Sequence, residues 1–237
     1  MRRRAIFGLS STLSGSLLPP SSSKSKTDLP EAKPIVGRFA PALSVDVEEW
    51  YHNCWVPEYV DPALRPRLPE ELDRLLPQLA GELARTGAKA TFFVLGEVAL
   101  RIAPRLRELS AAGHEIACHS FHHFRANSLA VASFRGEIVR AKALLEDVVG
   151  SEVRGFRAPE WSLRSLANPR LRVVAEAGFA YDSSLIPAAG AGSSSNPDRP
   201  VRLLWPDGKT LVEVPPLTWG GRLRLPAGSS PNSVSRT

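Results

Sequence analysis

The sequence predicts an α/β fold built mainly on parallel strands, and two observations favour this class. Short apolar runs alternate with helical patterns along the chain, which is typical of strand–helix–strand units. Polar residues also recur just after the apolar runs, where the carboxyl ends of parallel strands would meet. Because (β/α) barrels build their sites at those ends, we expect a barrel rather than an open sheet, although the spacing is compatible with both.

Length and composition predict one domain with a terminal extension. The chain has 237 residues, of which 43% are hydrophobic and 23% charged, ordinary values for a globular protein. The net charge is +6, and Arg2, Arg3 and Arg4 supply half of it. Since no stripe of basic residues alternates with aromatic ones, we expect no nucleic-acid partner. The two cysteines, Cys54 and Cys118, make no disulfide framework.

Residues 1–38 lack apolar periodicity, and we expect them to form a disordered or weakly targeting tail. Their basic start is followed by a short, serine-diluted apolar stretch that ends at Leu18 and makes a poor export signal. No run of about 18 apolar residues occurs, so we expect no stable membrane span. The weak signal favours a cytoplasmic location and leaves export open.

The ordered domain should cover residues 39–225, and apolar patterns place its strands in order. The predicted strands are Ala42–Glu48, Ala90–Gly96, Glu115–Cys118, Val153–Pro159 and Phe179–Ser183. Leu203–Trp205 and Leu211–Pro215 flank Asp207-Gly208, which predicts a hairpin. Loops are expected at Cys54–Pro66 and Gly190–Pro200, and residues 226–237 should form an irregular tail.

Four helices alternate with these strands. The first opens at Pro69 and ends at Gly87, and the others are predicted over Ala103–Ala112, Ser133–Val149 and Arg170–Ala177. Glycine stops each of them, because glycine adopts the left-handed conformation that ends a helix. The apolar face of the first helix consists of Leu72, Leu75, Leu76, Leu79 and Leu83. Pro77 lies inside it and should cost about 3 kcal/mol or kink it.

His119 and His123 are the first candidates for metal binding. They follow the strand Glu115–Cys118 four residues apart, so a helical turn there would place both side chains on one face. Two imidazoles on one face can bind a divalent metal, with zinc as the first candidate. The alternative is a polar loop that happens to hold histidines. His122 would point away from the pair.

Asp46 and Glu48 are the first candidates for acid–base chemistry. They lie two residues apart at the end of the first strand, so both side chains should point to one face. One carboxylate could bind the metal while the other acts as a general base. A solvated strand end is the alternative, and the apolar context favours function.

Two further polar positions follow later strands. Arg157 could orient the base or bind a substrate oxygen, and Trp161 could form an apolar or sugar-stacking wall. A surface arginine and a core tryptophan are the alternatives. Asp182 could bond to Arg157 or to a histidine, or cap a helix.

In their order, these segments resemble the polysaccharide deacetylase family, the NodB homology domain of carbohydrate esterase family 4. The resemblance covers about residues 41–225, and the order and spacing of its motifs are more specific than any single motif. The motifs are Ser44-Val45-Asp46-Val47-Glu48-Glu49-Trp50, Ala90-Thr91-Phe92-Phe93-Val94-Leu95-Gly96, Gly113-His114-Glu115-Ile116-Ala117-Cys118-His119-Ser120-Phe121-His122-His123, Phe156-Arg157-Ala158-Pro159-Glu160-Trp161 and Tyr181-Asp182-Ser183-Ser184. The Asp-Val-Glu-Glu form of the first motif is similar to a subgroup associated with bacterial exopolysaccharide and exosortase loci.

The resemblance implies a distorted (β/α) barrel of the NodB type that removes acetyl groups from an N-acetylated polysaccharide or oligosaccharide with a divalent metal, zinc first. Metal-bound water would be the nucleophile and Asp46 the catalytic base, supported by Arg157. The resemblance implies that the metal ligands are Glu48, His119 and His123, with Glu49 ranked behind Glu48 because it points to the opposite strand face. The implied substrate-binding residues are Pro159, Trp161 and Asp182.

The chain departs from the family in one respect. The family closes its site with a late motif whose histidine protonates the leaving amine, and no histidine follows His123 here. The residues after Pro216 also lack the pattern of a last strand and helix. We therefore expect a truncated or frame-shifted product whose barrel is incomplete at the C-terminus. Activity equal to that of a full-length relative would contradict this.

Two other functions remain open at this point. The same fold can hydrolyse a small amide such as a cyclic ureide, and a truncated chain can persist as a non-catalytic module that binds glycan or metal. Acetate release that is lost in His119→Ala would favour hydrolysis. Zinc binding without acetate release would favour the non-catalytic module.

Overall fold

The computed structural model describes residues 29–52, 67–68, 70–189, 192–219 and 225–226. Several sequence predictions fall outside these ranges and stay predictions: most of the N-terminal tail, the loop at Cys54–Pro66, the helix start at Pro69, part of the loop at Gly190–Pro200 and nearly all of the C-terminal tail.

Ten strands and five α-helices form the described part of the chain. The strands are β1 (Glu31–Pro34), β2 (Leu43–Val47), β3 (Ala90–Val94), β4 (Glu115–Cys118), β5 (Gly155–Phe156), β6 (Tyr181–Asp182), β7 (Val201–Leu204), β8 (Thr210–Glu213), β9 (Thr218–Trp219) and β10 (Leu225–Pro226). The helices are α1 (Leu72–Thr86), α2 (Gly96–Ala99), α3 (Ala103–Ala111), α4 (Val131–Val149) and α5 (Arg170–Glu176). Short 3-10 turns lie at Trp50–His52, Ala126–Ser128 and Pro159–Trp161.

The strands confirm the predicted α/β class. Eight of them form one sheet in the order β1-β7-β8-β6-β5-β4-β3-β2. The run from β2 to β6 and on to β8 is parallel, whereas β7 pairs antiparallel with β8 and β1 with β7. In the described residues this ladder runs from β1 at one edge to β2 at the other, so hydrogen bonds do not close the predicted barrel there.

β1 corrects the predicted domain start at residue 39. Glu31–Pro34 pairs with Val201–Leu204, and Ile35 N–H donates to Pro200 O at 3.1 Å. All four residues of β1 are exposed, and they include two charged residues and a proline. A strand of this kind shows no apolar alternation, so periodicity could not reveal it.

A continuous apolar core lies between the sheet and the helices. β3 is buried along nearly its whole length, as expected for a strand covered by neighbours on both faces. The predicted face of α4 is confirmed, with Phe134, Ile138, Ala141, Leu145 and Val148 all buried. In α1, Leu75 is 40% exposed and departs from the predicted apolar face. The helix nevertheless continues through Pro77 and ends at Gly87, whose φ is +66°.

No α-helix in the described ranges combines the length and apolar character that crossing a bilayer requires. What the fold supplies instead is a rim of polar residues. Parallel pairing aligns the carboxyl ends of β2 to β6, because Val47, Val94 and Cys118 are successive partners across the sheet. The polar side chains that follow these ends therefore meet above one edge of the sheet.

Candidate metal centre

Two strand ends bring together two imidazoles and a carboxylate. Glu48 follows β2 directly, and His119 and His123 follow β4. Ligand atoms of these three side chains all lie within 4.8 Å of one another. Glu48 Oε2 lies 2.7 Å from His123 Nε2, and both histidines are buried. The structure thus places the predicted ligands side by side.

The segment between the histidines is a loop, and the expected helical turn is wrong. Ser120 and His123 have φ values of +72° and +62°, which no regular helix contains. Backbone bonds from the start of α2 set this path instead: Gly96 N–H donates to Ser120 O and Glu97 N–H to Phe121 O, both at 3.0 Å. Periodicity cannot show such contacts, because they join two different strand ends.

The hydrogen bond of His119 fits a metal ligand. Its Nδ1 lies 2.8 Å from the carbonyl oxygen of Arg157, so Nδ1 carries the proton and donates it there. This leaves the lone pair of Nε2 directed toward the cluster, as in metal-binding histidines that are oriented by a carbonyl. Two histidines and one carboxylate fit a divalent metal with a position left for water or substrate.

Asp46 lies beside this cluster and is held by Arg157. Its Oδ1 accepts a hydrogen bond from Arg157 Nη1 at 2.8 Å, and its Oδ2 lies 4.0 Å from His119 Nε2. Arg157 is itself fixed by bonds to Ser44 Oγ at 2.9 Å and to the carbonyl oxygen of Ser183 at 3.2 Å. Its guanidinium also stacks 4.1 Å from the ring centre of Phe93. The predicted support of Asp46 by Arg157 therefore has a direct geometric basis.

Electrostatics keep both carboxylates of the site charged. Burial raises the pKa of Asp46, but its interactions with His119 and with the Arg157 guanidinium outweigh burial and hold that pKa below its usual value. Burial likewise raises the pKa of Glu48, and the hydrogen bond with His123 outweighs burial and brings that pKa below its usual value. Burial lowers the pKa of His119 and outweighs the opposite effect of Asp46, so this imidazole favours its neutral form. Neutral imidazole and ionised carboxylate are the states that bind metals.

Glu49, the alternative ligand, is engaged elsewhere. Its carboxylate accepts bonds from the N–H groups of Glu71 at 2.8 Å and Leu72 at 3.3 Å, at the start of α1. It also pairs with Arg101 at 2.5 Å. A buried carboxylate satisfies the free N–H groups of a helix start well. The geometry therefore leaves Glu48 as the ligand candidate and gives Glu49 a structural role.

The turn after β5 carries two of the predicted substrate-binding residues. Pro159 is buried, whereas Trp161 is partly exposed. Glu160 and Trp161 both have positive φ, at +51° and +49°, which is uncommon outside glycine. Arg125 pairs with Glu160 at 2.7 Å, so this turn is tied to the loop that carries the histidines.

Asp182 does not fit a direct contact with substrate. It is fully buried, and its Oδ1 accepts a bond from Ser184 Oγ at 2.6 Å. Asp182 is also the register partner of Glu213, which is fully buried on the neighbouring strand β8. Burial raises the pKa of Glu213 well above its usual value, and burial also raises that of Asp182. Two adjacent buried carboxyl groups cannot both ionise, so they share a proton.

Two residues of the site were missed from the sequence. Glu213 stands alone in the apolar run Leu211–Pro215, and a single acid in a buried strand is the signal that could have revealed it. Glu137, on α4, accepts bonds from the backbone N–H of His122 at 3.0 Å and contacts its Nδ1 at 2.8 Å. His122 is thereby bonded to α4 and not to the candidate metal ligands. Nothing in the helical pattern marks Glu137 as a partner.

Part of this chain is similar to known deacetylases. Residues 69–181 match the family model described as polysaccharide deacetylase. A peptidoglycan deacetylase of Helicobacter pylori is 23% identical over 111 residues, which are 47% of this chain and 37% of that protein. A peptidoglycan-N-acetylglucosamine deacetylase of Bacillus cereus is 26% identical over 83 residues, 35% of this chain and 30% of that protein. The chain thus spans about a third of the length of these curated relatives.

A solved structure is similar over a larger share of the chain. It is that of a Mycobacterium smegmatis protein assigned as a polysaccharide deacetylase, with 29% sequence identity and a TM-score of 0.58. The similarity covers 78% of this chain and 63% of that one. Together, these comparisons show that part of this chain is similar to polysaccharide deacetylases.

Proposed function

We propose, from the deacetylase domain that residues 69–181 match, that this protein is a metal-dependent hydrolase that removes N-acetyl groups from a polysaccharide. One observation carries the proposal: an ionised Asp46 lies beside the cluster of Glu48, His119 and His123 and is held there by Arg157. A base next to a metal cluster is the arrangement that amide hydrolysis by activated water requires.

Each residue of the site has a defined task in this reaction. Glu48, His119 and His123 would hold a divalent metal, zinc by the donor set, which polarises the acetyl carbonyl and acidifies water when bound. Asp46 accepts the proton of the attacking water as the oxygen adds to the acetyl carbon. Arg157 keeps Asp46 ionised and pointed at the cluster through the bond to its Oδ1.

The carbon–nitrogen bond then breaks, and acetate and a free amine are released. The leaving nitrogen needs one proton, and the attacking water has supplied one to Asp46. We assign the return of that proton to Asp46, because this carboxyl group lies beside the cluster. One carboxyl group can act as base and then as acid in the same turnover.

The first motif indicates which class of polysaccharide is the substrate. The Asp46-Val47-Glu48-Glu49 sequence resembles the exopolysaccharide-associated subgroup, whereas the curated relatives are named for peptidoglycan. We infer an exopolysaccharide that contains N-acetylated sugars. A panel of N-acetylglucosamine oligomers, peptidoglycan and N-acetylated exopolysaccharide, with the cyclic ureide allantoin as the small-amide probe, separates these substrates.

Acetate release from N-acetylglucosamine oligomers, with and without added zinc, tests the proposal. We expect zinc-dependent release that His119→Ala abolishes, because the cluster loses a ligand. His122→Gln is the matched control, since His122 is bonded to Glu137 and not to the cluster. Equal acetate release by His119→Ala and the unaltered protein would refute the assignment.

A further inference from the structure

Three aromatic side chains are strongly exposed among the residues whose exposure the structure describes. Phe39 is 50% exposed, and Trp50 and Phe124 are each 48% exposed. Two of these three adjoin a proposed metal ligand in the sequence: Trp50 follows Glu48 by two residues, and Phe124 directly follows His123. Single exposed apolar residues need no explanation, but two exposed rings beside one polar cluster do.

A series of ring contacts connects Trp50 to His123 of the cluster through Tyr51 and His52. The ring of Trp50 packs edge-on against Tyr51 at 5.7 Å between centres, and Tyr51 lies 4.7 Å from the ring of His52. The buried His52 ring lies 6.4 Å from that of His123. His52 is fixed in turn, because its Nδ1 accepts a bond from Glu49 N–H at 2.9 Å. The exposed indole is therefore mounted on a rigid base.

Phe124 lies in the loop after β4 and directly follows the proposed ligand His123. Its ring lies 5.5 Å from that of His122, which Glu137 anchors to α4. Trp50 comes from the end of β2 and Phe124 from the loop after β4, and β3 lies between these strands. Neighbouring strands are about 4.8 Å apart, so the two chain segments leave the sheet about 10 Å apart. Each segment also carries residues of the cluster, Glu48 after β2 and the two histidines after β4.

Aromatic rings beside a polar cluster suit a ligand that has apolar faces and polar edges. Pyranose rings are such ligands, since their C–H faces pack on aromatic rings while their hydroxyl groups face water. The nearby Arg125 is already paired with Glu160. The two rings therefore suit the C–H faces of a neutral sugar such as an N-acetylated one.

We propose that Trp50 and Phe124 are stacking platforms for the sugar rings on either side of the ring that is deacetylated. This inference rests on the proposed function and adds the two side chains that hold the neighbouring sugars of the glycan chain. A single N-acetylglucosamine would reach the cluster but neither platform. Affinity should therefore rise steeply from monomer to tetramer.

Isothermal titration calorimetry of the zinc-loaded protein with N-acetylglucosamine and with its β-1,4-linked tetramer tests the inference. We expect Trp50→Ala and Phe124→Ala each to weaken tetramer binding by roughly five- to tenfold and to leave monomer binding nearly unchanged. Trp50→Phe keeps a ring and should restore most of the affinity. Phe39→Ala is the matched control, because this exposed ring precedes β2 at the opposite end of the strand.

The outcomes separate this inference from the proposed function. Unchanged tetramer affinity in both alanine variants, or no tetramer binding by the unaltered protein, overturns the platforms even if acetate is released. Weakened tetramer binding in the two variants without acetate release by any form upholds the platforms and overturns the hydrolase. Zinc affinity, measured in parallel, should stay constant in all four variants, since none of them changes a ligand.

Discussion

At the scale of single residues, the site depends on which of two adjacent glutamates faces the cluster. The sequence ranked Glu48 before Glu49 because alternate residues of a strand point to opposite faces. The structure also shows what Glu49 binds, which periodicity could not reveal. The N–H groups at the start of α1 bond to its carboxylate. The residue types of the site were thus predictable from the order of the motifs. The structural role of Glu49 was not, because it depends on a helix start 22 residues away in the chain.

Substitution of the two glutamates should have opposite consequences. Loss of a residue that supports a metal ligand typically weakens metal binding by roughly 10–100-fold. Glu48→Gln changes a ligand itself, so zinc binding should weaken by at least that factor, with little effect on folding. Glu49→Gln should leave zinc affinity unchanged and lower the free energy of unfolding by about 1–3 kcal/mol, because it weakens bonds to α1 and to Arg101. Calorimetric zinc titration and urea denaturation measure both. The assignment is wrong if Glu49→Gln is the variant that loses zinc.

Removal of the Arg157 charge should change the pH dependence of the reaction. Without the guanidinium, the pKa of Asp46 rises, so the base is ionised only at higher pH and the acid limb of the kcat profile moves upward. We expect Arg157→Met to show this shift and a kcat lower by about 100-fold. The profile is measured by acetate release from pH 4 to pH 9.

Arg199→Met provides the control for that experiment. Arg199 is exposed, and it forms its ion pair with Asp198 and not with a residue of the cluster. Its replacement should leave the whole pH profile in place. An acid limb that stays where it was in Arg157→Met would show that this arginine does not tune the base.

At the scale of elements, long patterned segments were predictable and short ones were not. α4 begins two residues earlier than predicted and ends where expected, because its apolar face and its glycine stop are both visible in the sequence. β5 and β6 have only two paired residues each, so the predicted strands there were too long. The loop at His119–His123 follows bonds to α2 rather than its own spacing, which is why the helical expectation failed.

Gly96 should prove essential to that loop. A Cβ at this position would come within 2.4 Å of the Phe121 ring, which is buried beneath Arg140. We expect Gly96→Ala to lower the free energy of unfolding by about 1–3 kcal/mol and to weaken zinc binding, since the histidine loop must move. Urea denaturation and zinc titration measure these effects. Gly136→Ala, on the open side of α4, is the control and should be neutral or stabilising.

The carboxyl pair that joins β6 and β8 should make stability depend on pH. The raised pKa values of Asp182 and Glu213 mean that folding favours their protonated forms. Their contribution to the free energy of unfolding is fully present below the ordinary pKa values of 3.8 for Asp182 and 4.5 for Glu213, and it is lost as the pH rises through the raised values of the folded state. Glu213→Gln should therefore reduce the loss of stability between pH 5 and pH 8, as urea denaturation at both values would show. An unchanged loss would mean that the pair does not share a proton.

At the scale of the whole molecule, the ligands come from strands that lie on either side of β3. A metal bound by the candidate ligands would therefore join parts of the chain that are separated by more than 70 residues, from Glu48 to His123. The class of fold was predictable because strands and helices alternate, but the open course of the ladder between β1 and β2 was not. Spacing in a sequence carries no information on whether the two edge strands meet.

Zinc should stabilise the folded chain as a whole. A ligand that binds only the folded state at a hundredfold excess over its dissociation constant adds about 2.7 kcal/mol. We expect zinc to raise the Tm and a chelator to lower it, whereas His119→Ala should respond to neither. Differential scanning calorimetry measures the shift, and an equal response in the His119→Ala variant would place zinc at another site.

The bond between Arg125 and Glu160 has one more consequence. It couples the segment that carries the histidines to the turn that carries Trp161, and the bond from Ala126 N–H to Ser162 Oγ at 2.8 Å reinforces the coupling. An indole so placed senses small changes in its surroundings through its emission. We therefore expect the wavelength and intensity of Trp161 fluorescence to change when an ion binds to the cluster or leaves it, with no added dye.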